Sequence, residues 1–382
     1  MDARPTTRKP AGGGGPPART PRSIAPPVLV RHVRNRVVES VHRGDIVEVD
    51  VSGRMLRVLG DPDRVVMLRS TVKPFGAVTV LEACAAEEFD LSPAEIALLT
   101  SSHSGEDLHV RTLQGLFRRA SISQTVLACG SEGMPLDALT AARLARDGEK
   151  ASPVRHMCSG QHAGLILLAR LRDWPIETYW EADHPAQQLY RETVARAFAV
   201  PPERLRTGID GCGLLTYAFP LREVAKAYAM LADPEALPPS DPRASLLPHL
   251  VTVRDAMLAH PEMVAGNRDR LDTSLMKAAS GRLVSKSGME ALRGIAILPG
   301  PRAGRAGTAA SGMAVKIEDG DGHDRGTWAA SIEALRQAGV LERQALRVLG
   351  RYQRPTVLDP HGRVGAESIA EFDLVPVGEL TT

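Results

Sequence analysis

Between Pro27 and about Ser70, apolar and polar positions alternate in short β-branched runs, V-L-V-R-H-V-R, R-V-V-E-S-V, D-I-V-E-V-D-V and R-M-L-R-V-L, separated by H-R-G-D, S-G-R and G-D-P-D. A period of two interrupted by turn residues predicts strands joined as an antiparallel meander. From Thr71 onward the period becomes helical. Helices are predicted over 71–87, 91–100, 109–119, 136–146, 161–172, 185–199, 221–231 and 244–259. Ser92 and Glu95 form a capping box around Pro93 at the start of the second of these. Strand patterns return at 292–298, 312–318 and 363–376, with an amphipathic helix over 325–338 between them. Strands at both ends with helices inserted predict an α+β or α/β sandwich. In it, one antiparallel sheet is built from the N- and C-terminal strands, and a helical subdomain leaves a cleft for an active site.

Composition adds limits to this picture. A chain of 382 residues with 43% hydrophobic content can bury a sizeable core. Residues 1–27 carry Arg4, Arg8, Lys9, Arg19 and Arg22 against Asp2, a charge of +4 in a chain whose total is +2, so the body is slightly acidic. Nothing in that balance calls for nucleic acid or an anionic membrane as a partner. The same front segment is rich in Gly and Pro and has little to bury, which predicts a disordered basic tail over 1–27 ahead of a catalytic domain over 28–382. It has no apolar stretch of signal-peptide type, its G-G-G-G-P-P run cannot form the amphipathic helix of a transit peptide, and no later segment is apolar for long enough to span a membrane. Four widely spaced cysteines, Cys84, Cys129, Cys158 and Cys212, fit reduced thiols in a cytoplasmic protein better than a disulfide framework.

Five short segments carry candidate chemistry. In Ser70-Thr71-Val72-Lys73, the i, i+3 spacing puts hydroxyl and amine on one helical face. Pro74 then requires Ser70 to lie at or beside a helix N-terminus, where free N–H groups favour an oxyanion and a desolvated Lys73 can act as a base. The alternative is an N-cap serine with a solvated lysine, and the same S-x-x-K spacing recurs at Ser274–Lys277 in what reads as an ordinary helix. Ser101-Ser102-His103-Ser104-Gly105-Glu106 is either a plain C-terminal turn or a functional concentration of hydroxyls. Lys286, in V-S-K-S-G, reads as a solvated turn lysine unless it serves as the base for Ser102. Cys158 and His162 lie one turn apart at a helix start, and Asp210 and Cys212 share a glycine-rich loop. Together these residues are either a tetrahedral zinc site or buried small hydrophobes and a loop carboxylate.

Taken in order, these segments resemble the rhizobial-type L-asparaginases, the asparaginase II family unrelated to the bacterial type I/II and plant-type enzymes. The resemblance runs from about Val28 to the C-terminus. It also includes E-S-V-H-R-G (Glu39 to Gly44), G-D-P-D (Gly60 to Asp63), H-P-E-M-V-A-G (His260 to Gly266) and L-D-T (Leu271 to Thr273). It implies a fold like the serine β-lactamases and glutaminases, hydrolysis of L-asparagine to L-aspartate and ammonia, and a homodimer. It further implies catalytic pairs Ser70 with Lys73 and Ser102 with Lys286, and substrate contacts from Asp210, His103 and Arg69. The family's metal-site cysteines fall on Cys158 and Cys212, so zinc is the implied cofactor. Two departures stand out. The family reads C-S-G-K-H where this chain has Gln161, a neutral amide and a poor zinc ligand, leaving Gln161 or His162 as third ligand; and C-G-S-E-G-M-P (Cys129 to Pro135) replaces the usual C-G-P-H-x-P. Rival readings are an amidohydrolase acting on glutamine or a biosynthetic amide, and a non-catalytic relative that binds amino acids. The absence of K-T-G and S-D-N elements argues against β-lactamase chemistry.

Overall fold

The computed structural model of the protein describes residues 25–130, 135–150, 152–302 and 305–379. Nearly all of the expected tail and most of the Cys129–Pro135 departure lie outside the described residues. Eight strands form the main sheet. Its order is Thr356–Leu358, Val364–Ala370, Val28–Arg34, Val37–Asp50, Ser311–Ile317, Leu292–Ile297 and Leu283–Gly288, with Met55–Leu59 also on Val37–Asp50 and every pairing antiparallel. The sheet therefore joins strands from both ends of the chain, as the alternating segments predict. Helices occupy most of the intervening chain.

One strand differs from expectation. H-R-G-D is not a turn: Val37–Asp50 runs through it as a single element of 14 residues. Up to Arg43 it pairs with Val28–Arg34, and from Gly44 to Asp50 it pairs with Ser311–Ile317. Gly44 allows this change of neighbour, because a Cβ there would lie 2.2 Å from the Lys316 carbonyl oxygen. The sheet curls where the strand changes partners, so two shorter alternating runs in sequence become one long strand in space.

The helix Leu221–Ala232 lies against Ser311–Ile317, Leu292–Ile297 and Val37–Asp50. Its Tyr228 is fully buried, meets Phe75 edge to face at 5.5 Å, and donates from its hydroxyl to the Thr71 carbonyl at 2.9 Å. The sheet is thereby coupled to the segment that carries Ser70. A second sheet, of three short strands, pairs Leu215–Pro220 with Val65–Met67 on one side and Arg206–Ile209 on the other. The glycine-rich segment around Asp210 and Cys212 is the loop of its hairpin. No helix among the described residues is long and apolar enough to cross a membrane.

The helix Ser159–Leu171 is buried almost throughout, polar Ser159, Gln161 and His162 included, so it is a core helix rather than a surface one. Its N-terminal end touches the end of Pro93–Leu99. An added Cβ on Gly160 would sit 1.9 Å from the Leu98 carbonyl oxygen and 2.8 Å from Ser101 Oγ. Both clashes involve the segment that presents Ser102, and backbone cannot swing aside as a side chain would. Gly160→Ala is expected to cost about 1–3 kcal/mol of stability, measured by denaturant unfolding; an unchanged midpoint would show that the two helices are free to separate.

Candidate active site

Ser70 lies in a 3₁₀ turn, Arg69–Val72, that leads directly into the helix Lys73–Glu82, with Pro74 in its first turn. The serine is thus beside a helix N-terminus, where proline's missing N–H costs nothing. Arg69 has a left-handed backbone, φ 47°, and its N–H donates to Thr216 Oγ1 at 2.9 Å. Together with the Tyr228 bond to Thr71, this holds the turn from both sides.

The Lys73 amine does not hydrogen-bond to Ser70. It donates to the Ser101 carbonyl at 2.7 Å, to Cys158 Sγ at 3.2 Å and to Ser102 Oγ at 3.3 Å. Lys286 approaches the same hydroxyl from the sheet, 2.8 Å from Ser102 Oγ, and donates to the Ser287 carbonyl at 2.6 Å. Both lysines are buried, and they meet at Ser102. The expected solvated turn at Lys286 is instead the strand Leu283–Gly288, the edge of the main sheet that faces the helices. Burial lowers the Lys286 pKa well below that of a free lysine, with Lys73 adding to the effect and Asp272 opposing it.

Asp272 fixes that strand. Its Oδ1 accepts from Ser285 Oγ at 2.6 Å and pairs with buried Arg293, while Oδ2 accepts from the Ser287 backbone at 3.0 Å and its hydroxyl at 2.6 Å. The two serines that flank Lys286 in sequence therefore hold a carboxylate rather than taking part in chemistry. Burial alone would raise the Asp272 pKa, but Arg293, Lys286 and the serine hydroxyls outweigh it and hold the group ionised, well below the carboxylate range.

The segment after Pro93–Leu99 is not a solvated turn. Ser101 through Ser104 are buried, with Ser102 N–H bonded to the Val264 carbonyl at 2.9 Å and His103 N–H to the Met157 carbonyl at 3.2 Å. His103 was expected to contact substrate, yet both of its ring nitrogens are used internally. Nδ1 accepts from the Gly105 N–H at 3.0 Å, which leaves Nε2 to donate to Ser159 Oγ at 2.8 Å. Burial, with His109 stacked on it at 4.6 Å, keeps the ring neutral. Arg69 and Asp210, also expected at the substrate, bind each other: Arg69 Nε and Nη2 lie 2.9 and 2.8 Å from Asp210 Oδ1. The other oxygen, Oδ2, has no hydrogen bond among the described residues.

Cys158 and Cys212 are brought together from distant segments. The neighbouring Cys212 thiol, with Lys73 and His156 adding to it against burial, lowers the Cys158 pKa; the Cys158 thiol and burial raise that of Cys212. The other expected zinc ligands turn elsewhere. Gln161 Nε2 donates to Tyr190 OH at 3.0 Å, and His162 Nδ1 faces Tyr179 OH at 2.6 Å. Among the described residues no three His, Cys, Asp or Glu side chains are grouped to hold a metal ion. With lysine replaced by an amide at 161, the donor set does not fit zinc.

Ser70 and Ser102 open into a cavity of about 430 Å³ whose walls include Arg268, Arg270, Asp272 and Arg293. Sequence reasoning passed over Arg270 and Asp272. Arg270 donates from Nη2 to the Ser102 carbonyl at 2.8 Å, so it helps to set the position of the serine. The available signal for Asp272 was a carboxylate in L-D-T at the start of an amphipathic helix, Leu271–Ala278, but its register against the sheet is a tertiary fact.

No curated protein is similar enough to this chain to count as a match. Two crystal structures of a protein called Mglu, one of them in its glutamate form, are 15% and 14% identical to it. They are matched over 77% and 78% of this chain and over 67% and 62% of theirs, with TM-scores of 0.32 and 0.34. At scores this low the likeness defines nothing about the fold. A family match comes from the L-asparaginase II model, over residues 30–368. Since it spans most of the chain, the protein belongs to the L-asparaginase II family and is an amidohydrolase.

Proposed function

We propose that this enzyme hydrolyses the side-chain amide of L-asparagine to L-aspartate and ammonia, on a serine β-lactamase/glutaminase-like fold, with Ser70 as nucleophile and Lys73, Ser102 and Lys286 as its proton path. The observation that carries the reading is the Ser102 hydroxyl between two lysine amines, at 3.3 and 2.8 Å. A hydroxyl can accept from both amines or, where one amine is neutral, accept from the charged one and donate to the neutral one. The three partners of Lys73 match the three donors of an ammonium. The two contacts of Lys286 match a neutral amine that donates to the Ser287 carbonyl and accepts from Ser102, in keeping with its lowered pKa.

The proton moves then follow an order. Transfer from Lys73 through Ser102 to Lys286 frees the Lys73 amine to take the Ser70 hydroxyl proton as Oγ bonds to the amide carbon. The oxyanion develops beside the N-terminal end of Lys73–Glu82, where the positive end of the helix dipole favours negative charge. When the C–N bond breaks, the path runs backwards, and the nitrogen leaves as ammonia with a proton delivered through Ser102. Deacylation repeats the sequence: Lys73 again passes a proton through Ser102 to Lys286, takes one from the water that attacks the Ser70 ester, and gives it to Ser70 Oγ as the acid leaves, after which Lys286 returns its proton through Ser102 to Lys73. Asp210 Oδ2 would receive the substrate's α-ammonium. No step uses Cys158, Cys212, Gln161 or His162 as a metal ligand.

Ser70→Ala is expected to reduce ammonia release from L-asparagine by at least about a thousandfold, and Ser102→Ala by about a hundredfold or more. If Ser70→Ala keeps full activity while Ser102→Ala abolishes it, the doubly contacted Ser102 is the nucleophile and the order of events above is wrong.

Because Lys286 must start neutral, kcat/KM should fall as pH drops through its folded pKa and be level above it. Burial moves that limb well below the pKa of a free lysine, about 10.4. Lys286→Arg, which stays charged, should be inactive across the range without a recoverable limb. An acid limb that persists unchanged in the residual activity of Lys286→Ala would assign the titration to another group.

A further inference from the structure

Three arginines line the cavity that holds Ser70 and Ser102, and two of them are already neutralised. Arg268 forks onto Asp137, with Nε and Nη2 at 2.7 and 2.6 Å from its two oxygens, and Arg293 is paired with Asp272. Arg270 is different. No carboxylate of the described residues lies within 4.0 Å of it, and its one hydrogen bond, from Nη2 to the Ser102 carbonyl, leaves its other N–H donors without a protein partner. Its closest charged surroundings are mixed: Asp272, committed to Arg293, and Asp324, exposed at the cavity mouth, attract it, while Arg293 repels it. Burial adds to the cost of the uncompensated charge and lowers the Arg270 pKa.

A half-buried guanidinium without an anion is costly, and removing one partner of a buried ion pair costs several kcal/mol in general. The group stays fully charged and presents a planar fork matched to a carboxylate. The other arginine near Ser70, Arg69, is closed off by Asp210. Of the cations around the cavity, Lys73 and Lys286 are occupied with Ser102, and Arg268 and Arg293 keep spare N–H donors but each already holds a carboxylate, so among them Arg270 is the guanidinium without one. It is also attached, through the Ser102 carbonyl, to the centre of the proton path.

We propose that Arg270 binds the α-carboxylate of the substrate, so that the enzyme selects amides bearing a free carboxylate. The identity of the amide rests on the function proposed above; the carboxylate preference is a separate claim about binding. The carboxylate would be read by the loop that precedes Leu271–Ala278, and the ammonium by the hairpin loop of Asp210, which places the two ends of a zwitterion on different segments.

The test is calorimetric binding in the full chain carrying Ser70→Ala, which separates binding from turnover, using L-asparagine and L-aspartic diamide, the same molecule with its α-carboxylate made neutral. With Arg270 present, asparagine should bind about 10- to 100-fold more tightly than the diamide. Adding Arg270→Gln should remove that preference by weakening asparagine alone, and Arg270→Lys should restore part of it. Equal losses for both ligands would show that Arg270 only supports the Ser102 loop, and a surviving preference, or no binding of asparagine before Arg270 is changed, would also overturn the proposal. Ammonia release by the unaltered enzyme is read independently. Its absence with the carboxylate preference intact refutes the hydrolytic reading alone, and its presence with no effect of Arg270→Gln on KM refutes the carboxylate assignment alone.

Discussion

The buried carboxylate of Asp272 is the constraint from which the rest of the site is built. It gathers Ser285, Ser287 and Arg293 from two adjacent strands, and the residue held between the two serines is Lys286. Without it Arg293 would be a buried cation with no carboxylate, a loss of about 3–5 kcal/mol where such pairs have been broken. The strand carrying Lys286 would also lose its register against the helix. Position follows: Lys286 meets Ser102, Ser102 meets Lys73, and Lys73 meets Cys158, four groups from four separate segments in one hydrogen-bonded line.

Charge balance gives this line its direction. Lys73, Lys286, Arg270 and Arg293 crowd one region, with Asp272 as the ionised carboxylate inside it and Cys158 as the thiol whose acidity is raised. Such a surplus of cations favours losing a proton from the most desolvated amine, and that amine is Lys286. An unpaired guanidinium is the remaining expression of the same surplus. An anionic group on the substrate would relieve it.

The segments of the site were largely legible, and their connections were not. Pro74 is enough to put Ser70 beside a helix start, because a proline ring cannot follow deeper in a helix. The capping box of Ser92 and Glu95 forms as written, and the alternating runs at both ends become the main sheet. The curl at Gly44, however, depends on which carbonyl comes within reach of a missing Cβ, and H-R-G-D looks like a turn until that neighbour is known. His103 looked available for substrate because its neighbours are hydroxyls. Burial and the Gly105 N–H consume it, and neither can be seen one residue at a time.

By itself the sequence determined the class of element at most positions, the chemistry on hand, and the family, because periodicity, proline and glycine constraints and ordered motifs are local properties of a chain. Only the tertiary structure decided which lysine serves which serine, that the serines beside Lys286 bind Asp272, that Gln161 and His162 face tyrosines rather than the two cysteines, and that Arg270 is left without a carboxylate. The reason is the reach of the forces involved. Backbone preferences act over a few residues, whereas hydrogen bonds, desolvation and charge pairing act between whatever groups the packed core brings within a few ångströms, and here those groups are separated by up to 184 positions in the chain.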